Sequence, residues 1–250
     1  MWPWSSLSYN LFLLWLLCTM LSESCLVHLI MVITRDISQQ ELKQYDGSDS
    51  NKPFLMAQIY DVSLSRCPRL KRLVMPAWNR IKEAGICRAI RMWEDLESLT
   101  MPSIEDPACV MGEIGRSCKH FAELKIMGPC DTLFASTLVE FLPNLKVLSV
   151  RCTVLPKPAL VIILDGFKKL EVLNISHCLI TEGSPPAPEK ILTKLDESIL
   201  EKACRLRKFL TCMSDSCIMC QRIRNDEGLI RWYKYEEDLW KVDEVRSLSV

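Results

Sequence analysis

Three cysteines near the C-terminus have the spacing that most readily suggests chemistry. They form the pattern C-x4-C-x2-C at Cys212, Cys217 and Cys220. Close thiol pairs are typical of structural zinc sites, and Cys204 could supply a fourth ligand. None of the 3 histidines lies near these cysteines in the sequence. Free thiols at the end of a domain explain the pattern equally simply, so we expect no metal and no other cofactor, with zinc as the open alternative.

A histidine beside a cysteine is the other pair that could be reactive. His177 and Cys178 are adjacent, but nucleophilic catalysis also needs a third group that orients the base, and the sequence offers none nearby. The glycines form neither G-x-G-x-x-G nor a phosphate-binding loop, and G-x-S-x-G is absent. We therefore expect a surface histidine beside a packed thiol, no catalytic residues and no enzyme activity.

The composition excludes several classes of protein. The chain has 250 residues, of which 49% are hydrophobic, and 31 basic residues balance 31 acidic ones. This balance excludes a disordered acidic tail, a collagen-like fibre and a general electrostatic nucleic-acid binder. Two short basic clusters, at 69–72 and 205–208, are interpreted as solvated rims. We therefore expect no nucleic-acid partner.

The elements that position these side chains come from a repeat. The pattern L-x-x-L-x-apolar begins at positions 70, 96, 121, 145 and 170, and a degraded copy begins at 206. Apolar residues two apart indicate a strand with one buried face, whereas spacings of three or four between the copies indicate helices. Stacked strand–helix units bury a continuous core, with parallel strands on the concave face and helices on the convex face. The sequence thus predicts an α/β leucine-rich-repeat solenoid of five to six repeats.

The rest of the chain divides around this solenoid. We predict an apolar segment at 1–34, a polar linker at 35–52, a helical N-terminal cap at 53–66, repeats at 67–212 and an aromatic C-terminal cap at 213–250. Within the repeats, we expect a turn at 155–158, a proline-rich loop at 181–188 and a helix at 189–204. The last segment is a solenoid cap or a partner-binding aromatic patch, because it contains Trp232, Tyr233, Tyr235 and Trp240.

The N-terminal segment and the cysteines bear on the compartment. Apolar runs at 11–21 and 26–33 flank Glu23, and no Lys or Arg precedes Arg35, so a signal, an anchor and a buried segment all stay open. Repeat spacing stacks several cysteines in one column, which is unsuited to disulfides and indicates packed thiols. We expect the cytoplasm or nucleus, with a membrane or the secretory pathway, reached through residues 1–34, as the alternative.

Several stretches resemble one plant family. They are CPRLKRLVMPAWNRI from Cys67, IRMWEDLESLTMPSI from Ile90, FAELKIMGPCD from Phe121, LEVLNISHC from Leu170 and the tail CIMCQRIRNDEGLIRWYKYEEDLWKVDEV from Cys217. These stretches are similar to plant F-box/LRR-repeat proteins, the substrate-recognition subunits of SCF-type (cullin–RING) ubiquitin ligases. The resemblance implies a non-catalytic role in ubiquitin-dependent protein degradation, with a protein substrate and a Skp-type adaptor as partners.

One part of the family pattern is missing. Residues 1–65 contain no Leu-Pro pair of the kind that opens an F-box. We therefore expect these residues to lack an F-box, and a Skp-type adaptor to bind only if a longer form supplies one. The alternative is a standalone or membrane-anchored leucine-rich-repeat interaction module without ligase docking.

The partner-binding residues are predicted from strand alternation. Side chains that alternate with the buried leucines point to the concave face, and a shallow arc suits a protein or peptide better than an enclosed small molecule. The predicted partner-binding residues are Arg72, Val74, Ser98, Thr100, Glu123, Lys125, Val147, Ser149, Val172 and Asn174.

Overall fold

The structure is a computed structural model, and it describes residues 69–74, 83–101, 104, 106–126, 128–183 and 190–225. The predicted segments 1–34, 35–52 and 53–66 lie outside the described residues, as does most of the predicted C-terminal cap. In the part of the chain that is described, no helix is both long enough and apolar enough to cross a bilayer.

Strands and helices alternate along most of the described chain. The strands are β1 (Arg72–Val74), β2 (Ser98–Met101), β3 (Glu123–Ile126), β4 (Val147–Val150), β5 (Val154–Pro156), β6 (Val172–Ser176), β7 (Leu179–Glu182), β8 (Lys190–Ile191) and β9 (Lys208–Cys212). The helices are α1 (Glu83–Ile90), α2 (Pro107–Ser117), α3 (Thr132–Phe141), α4 (Lys157–Gly166), α5 (Glu197–Ala203) and α6 (Ile218–Asn225).

The main sheet follows the sequence repeat. Six strands lie in the order β1-β2-β3-β4-β6-β9, and all neighbours are parallel. Each strand begins two residues after the start of one copy of the pattern. A described helix lies between each pair of neighbouring strands, because parallel pairing requires a crossover. The predicted α/β fold with a parallel sheet is confirmed, and it is compatible with a leucine-rich-repeat solenoid.

The core lies between this sheet and the helices. Equivalent leucines on four neighbouring strands are fully buried, namely Leu99, Leu124, Leu148 and Leu173. They join buried residues of the helices, such as Ile163 of α4, in one continuous cluster. A strand–helix unit this short cannot enclose its own apolar side, so stacking provides the burial that stabilises it.

A second, smaller sheet corrects two predictions about the loops. It has the order β5-β7-β8, so the predicted turn at 155–158 is the end of strand β5 followed directly by helix α4. The predicted helix at 189–204 is also too long, because β8 occupies its start and pairs antiparallel with β7. Helix α5 begins at Glu197, where the Asp196 carboxylate accepts a hydrogen bond from the Ile199 N–H at 3.0 Å.

Candidate functional site

The ten predicted partner-binding residues form two rows across the main sheet. Strand register aligns Arg72, Ser98, Glu123, Val147 and Val172 in the first row. The same register aligns Val74, Thr100, Lys125, Ser149 and Asn174 in the second row. Because successive side chains alternate between faces, both rows lie on the face opposite the buried leucines. The side chain of Val74 is outside the described part of the structure.

The side chains of the two rows are buried, which differs from the open surface that the sequence suggests. Glu123 is the most exposed of the row residues on β2, β3, β4 and β6, at 5%. Among the row residues whose side chains are described, only Arg72, at the sheet edge, is partly exposed, with 30% of its side chain accessible. The row side chains of the central strands therefore have little accessible surface. The role of these residues in partner binding stays a prediction.

Charges within the rows compensate one another. The Glu123 carboxylate lies 3.4 Å from Nη2 of Arg72 and 3.4 Å from Nζ of Lys125. A buried charge is costly unless it is paired, and here the Glu123 carboxylate lies within ion-pair distance of both cations. Within the described residues, the buried Ser98 hydroxyl has no hydrogen-bond partner. The rows therefore carry buried polar and charged side chains beside Val147 and Val172, in contrast to the apolar face behind them.

A second cluster gathers at the end of the main sheet, beyond β6 and β9. One ligand atom from each of His177, Cys212, Cys217 and Cys220 lies within 4.8 Å of all the others. The sequence indicated the three cysteines but not the histidine, which lies 35 residues before Cys212. The signal that could have located the histidine was the register of β6 against β9, which places Ser176 beside Cys212. His177 is the next residue along the chain. The proposed fourth ligand, Cys204, is outside this cluster and exposed at the end of α5.

The distances within the cluster are short. Nδ1 of His177 is 3.4 Å from Sγ of Cys220 and 3.5 Å from Sγ of Cys217. Sγ of Cys220 is 3.6 Å from Sγ of Cys212. The backbone supports this geometry, because the His177 N–H donates to the Cys212 carbonyl at 3.1 Å. Three thiols and one imidazole nitrogen therefore converge on one point.

The two adjacent residues His177 and Cys178 have different partners. His177 faces the cluster, whereas the Cys178 thiol donates to the carbonyl of Val150 at 2.8 Å. Burial raises the pKa of Cys178 above its usual range. This thiol is thus a protonated packing group, as the repeat pattern indicates.

Two cysteines of the cluster have altered acidity. The backbone N–H of Cys220 donates to the Cys217 sulfur and lowers the pKa of Cys217. Burial raises the pKa of Cys220 to about 12. The start of helix α6 thus favours a thiolate at Cys217, which is the form that binds metals.

Comparison with known proteins identifies the family. An F-box/LRR-repeat protein of Arabidopsis thaliana is 57% identical over 200 residues, which cover 79% of this chain and 65% of that protein. The chain belongs to the plant F-box/LRR-repeat family. A putative F-box protein of the same plant is 26% identical over 74% of the chain and 54% of its own length. This family member therefore spans less than two thirds of the length of these relatives.

A shorter match concerns a different protein. Over 34 residues, 12% of the chain, the F-box/LRR-repeat family member is 68% identical to membrane steroid-binding protein 2 of Arabidopsis thaliana. This stretch covers 15% of that protein. No protein-family model matches the chain.

Proposed function

We propose that the chain is the substrate-recognition part of an SCF-type ubiquitin ligase subunit and acts in ubiquitin-dependent protein degradation. The observation that carries this proposal is the 57% identity with an F-box/LRR-repeat protein over 79% of the chain. The chain acts by binding and not by catalysis, and a Skp-type adaptor joins it to the ligase only if a longer form supplies an F-box.

The two rows of the main sheet are the proposed recognition surface. Six strands spaced by about 4.8 Å span roughly 24 Å, the length of about seven residues of an extended peptide. Serine, threonine, asparagine and paired charges on these rows offer hydrogen bonds to such a segment. The buried hydroxyl of Ser98 would gain a partner.

The burial of the rows affects how a partner binds. A partner must first expose these side chains, and the free energy of that exposure lowers its apparent affinity. The same burial keeps the polar face covered when no substrate is present. We therefore propose that recognition is coupled to opening of this face.

We also propose the cytoplasm or nucleus as the compartment. The cysteines in the described ranges are free thiols. Burial raises the pKa of Cys118 to about 11 and that of Cys130 to about 12, so these thiols stay protonated. Packed, protonated thiols suit a reducing environment.

The recognition surface is tested by capture from plant cells. The tagged 250-residue chain is compared with a triple variant, Glu123→Lys, Lys125→Glu and Asn174→Arg. We expect the triple variant to capture at least about tenfold less of each specific partner than the wild-type chain does, because close charge pairs at interfaces contribute more than about 1.5 kcal/mol. Lys119→Met, at an exposed position outside the rows, should bind as wild type does.

A milder variant keeps this test decisive if the triple variant does not fold. Lys125→Met removes one charge, keeps the aliphatic stem and leaves the Arg72–Glu123 pair in place. Retention of every partner by a folded row variant would show that the rows are the wrong surface.

The ligase role needs a separate measurement. The half-lives of captured partners are measured after depletion of the chain and after inhibition of cullin activation. We expect both treatments to lengthen them. Partners that depend on the rows but keep unchanged half-lives would instead support an interaction module without ligase docking.

A further inference from the structure

We propose that His177, Cys212, Cys217 and Cys220 bind one zinc ion in a closed, structural site with three cysteine ligands and one histidine ligand. This site would fasten helix α6 to the end of the main sheet. The inference goes beyond the proposed function, because substrate recognition by the rows requires no metal.

The ligand atoms already have the separations of a zinc tetrahedron. Zinc binds sulfur at about 2.3 Å and imidazole nitrogen at about 2.0–2.1 Å, so sulfur–sulfur edges are about 3.8 Å and nitrogen–sulfur edges about 3.5 Å. The corresponding distances are 3.6 Å between Cys212 and Cys220, and 3.4 and 3.5 Å from His177 to Cys220 and Cys217. Since all four atoms lie within 4.8 Å of one another, closure requires shifts of about 1 Å at most.

The donor set favours zinc over magnesium and calcium. Thiolates and imidazole suit zinc, whereas magnesium and calcium prefer oxygen ligands. Four protein ligands leave no open position for water or substrate, which is the arrangement of a structural site and not of a catalytic one. Cys220 is buried and the other three residues are partly buried, so solvent competes weakly for the ion.

The four ligands come from two stretches of the chain, residue 177 and residues 212–220. His177 lies in the turn after β6, Cys212 ends β9, Cys217 lies in the following loop, and Cys220 is within α6. His177 has a left-handed backbone conformation, with φ of 63°, as does Cys152 with φ of 58°. Register places these two residues at equivalent positions of neighbouring strands, 25 residues apart. The repeat itself thus sets the backbone that presents the histidine.

Among the described residues, helix α6 packs against a small apolar cluster only. Ile223 and Met219 pack with Cys152, Leu179 and Val154 in a small cluster that is separate from the main core. Strand β9, to which Cys212 belongs, is the edge of the sheet and is only partly buried. A solenoid needs its last repeat closed. Zinc would contribute to that closure by fastening α6 to the edge strand through metal–ligand bonds.

Metal content is the first test. The tagged 250-residue chain is purified under reducing conditions, and bound zinc is measured by mass spectrometry of the elements. We expect one zinc ion per chain. Cys212→Ser and Cys220→Ser should lose it, with affinity reduced by more than roughly 100-fold, since even changes around a zinc site cost 10–100-fold. Cys204→Ser is the matched control and should keep its zinc, because Cys204 is exposed and outside the cluster.

The role of His177 has its own test. The chelator-stripped protein is titrated with cobalt(II), whose thiolate charge-transfer absorption reports the ligands directly. His177→Ala should weaken binding, whereas His177→Cys should retain the metal with a stronger charge-transfer band per cobalt. Both variants keep all three cluster cysteines, so the test holds even if the serine variants do not fold.

Two results would overturn the proposal. One is wild-type protein that holds no more zinc than Cys212→Ser does. The other is a His177→Ala variant whose cobalt spectrum and affinity equal those of wild type. Amide hydrogen exchange tests whether the metal holds α6 on the sheet. Removing the metal with a chelator should accelerate exchange at 213–225 and leave exchange at 98–176 unchanged. Unchanged exchange in both ranges would exclude that role.

Discussion

The thiol of Cys178 donates a hydrogen bond to the carbonyl oxygen of Val150 on the neighbouring strand, at 2.8 Å. The paired residues of β4 and β6 end at Ser149 and Asn174. The Cys178 thiol therefore adds a hydrogen bond between the two repeats beyond the last of these pairs. Cys118 acts similarly, with its sulfur 3.3 Å from the carbonyl of Trp93. These cysteines therefore connect neighbouring repeats as small buried donors.

Replacing this donor should destabilise the fold. We expect Cys178→Ala to lower the free energy of unfolding by about 1–3 kcal/mol, because it removes a buried hydrogen bond and leaves a small cavity. The exposed Cys204 offers a control, and Cys204→Ala should change stability by less than about 0.5 kcal/mol. Urea denaturation measures both. Equal effects would mean that the Cys178 contact contributes nothing specific.

A buried carboxylate predicts how stability depends on pH. Arg91 donates to both oxygens of Glu113 at 3.0 and 2.8 Å, and Arg116 donates at 2.7 Å. Hydrogen bonds from Arg91 hold the pKa of Glu113 at about 2, below its ordinary 4.5. Since the pKa is lower in the folded state, the stabilisation is present above about pH 4.5 and disappears as the pH falls toward 2.

The matching variant isolates this carboxylate. At pH 7, Glu113→Gln should lower the free energy of unfolding by about 1–2 kcal/mol, because both arginines stay solvated after the change. The difference from wild type should shrink as the pH falls from 4.5 toward 2. Glu140→Gln, at an exposed position of α3, should follow wild type throughout. If the difference in unfolding free energy between Glu113→Gln and wild type stayed constant with pH, ionisation of Glu113 would not be the source of the stabilisation.

Two glycines of helix α2 predict opposite effects of the same substitution. A Cβ atom on Gly115 would clash with the backbone carbonyl oxygen of Phe141, whereas on Gly112 its nearest neighbour is the Phe141 ring at 3.8 Å. Gly115→Ala should destabilise by about 1–3 kcal/mol, because α2 and α3 must separate. Gly112→Ala should stabilise by about 0.5–1 kcal/mol through helix propensity. Thermal unfolding distinguishes them, and similar melting temperatures would refute the close approach.

Local spacing explains which parts of the fold were predictable. The strands could be located because each copy of L-x-x-L-x-apolar carries its own period of two, and α2 and α4 because their apolar residues recur at three and four. The small sheet was missed because β8 has only two residues, Lys190 and Ile191. A strand this short leaves no periodic pattern, and its pairing with β7 is a tertiary contact.

The sequence by itself determined the parallel sheet, the intervening helices and the two rows, since these follow from residue types at short, regular spacing. Tertiary structure decided the burial of the rows, because the spacing of residues along a strand sets which face a side chain lies on but not how accessible that face is. It also decided the fourth member of the cysteine cluster. His177 joins Cys212 only because the register of β6 against β9 places Ser176 beside that cysteine, across 35 residues of chain.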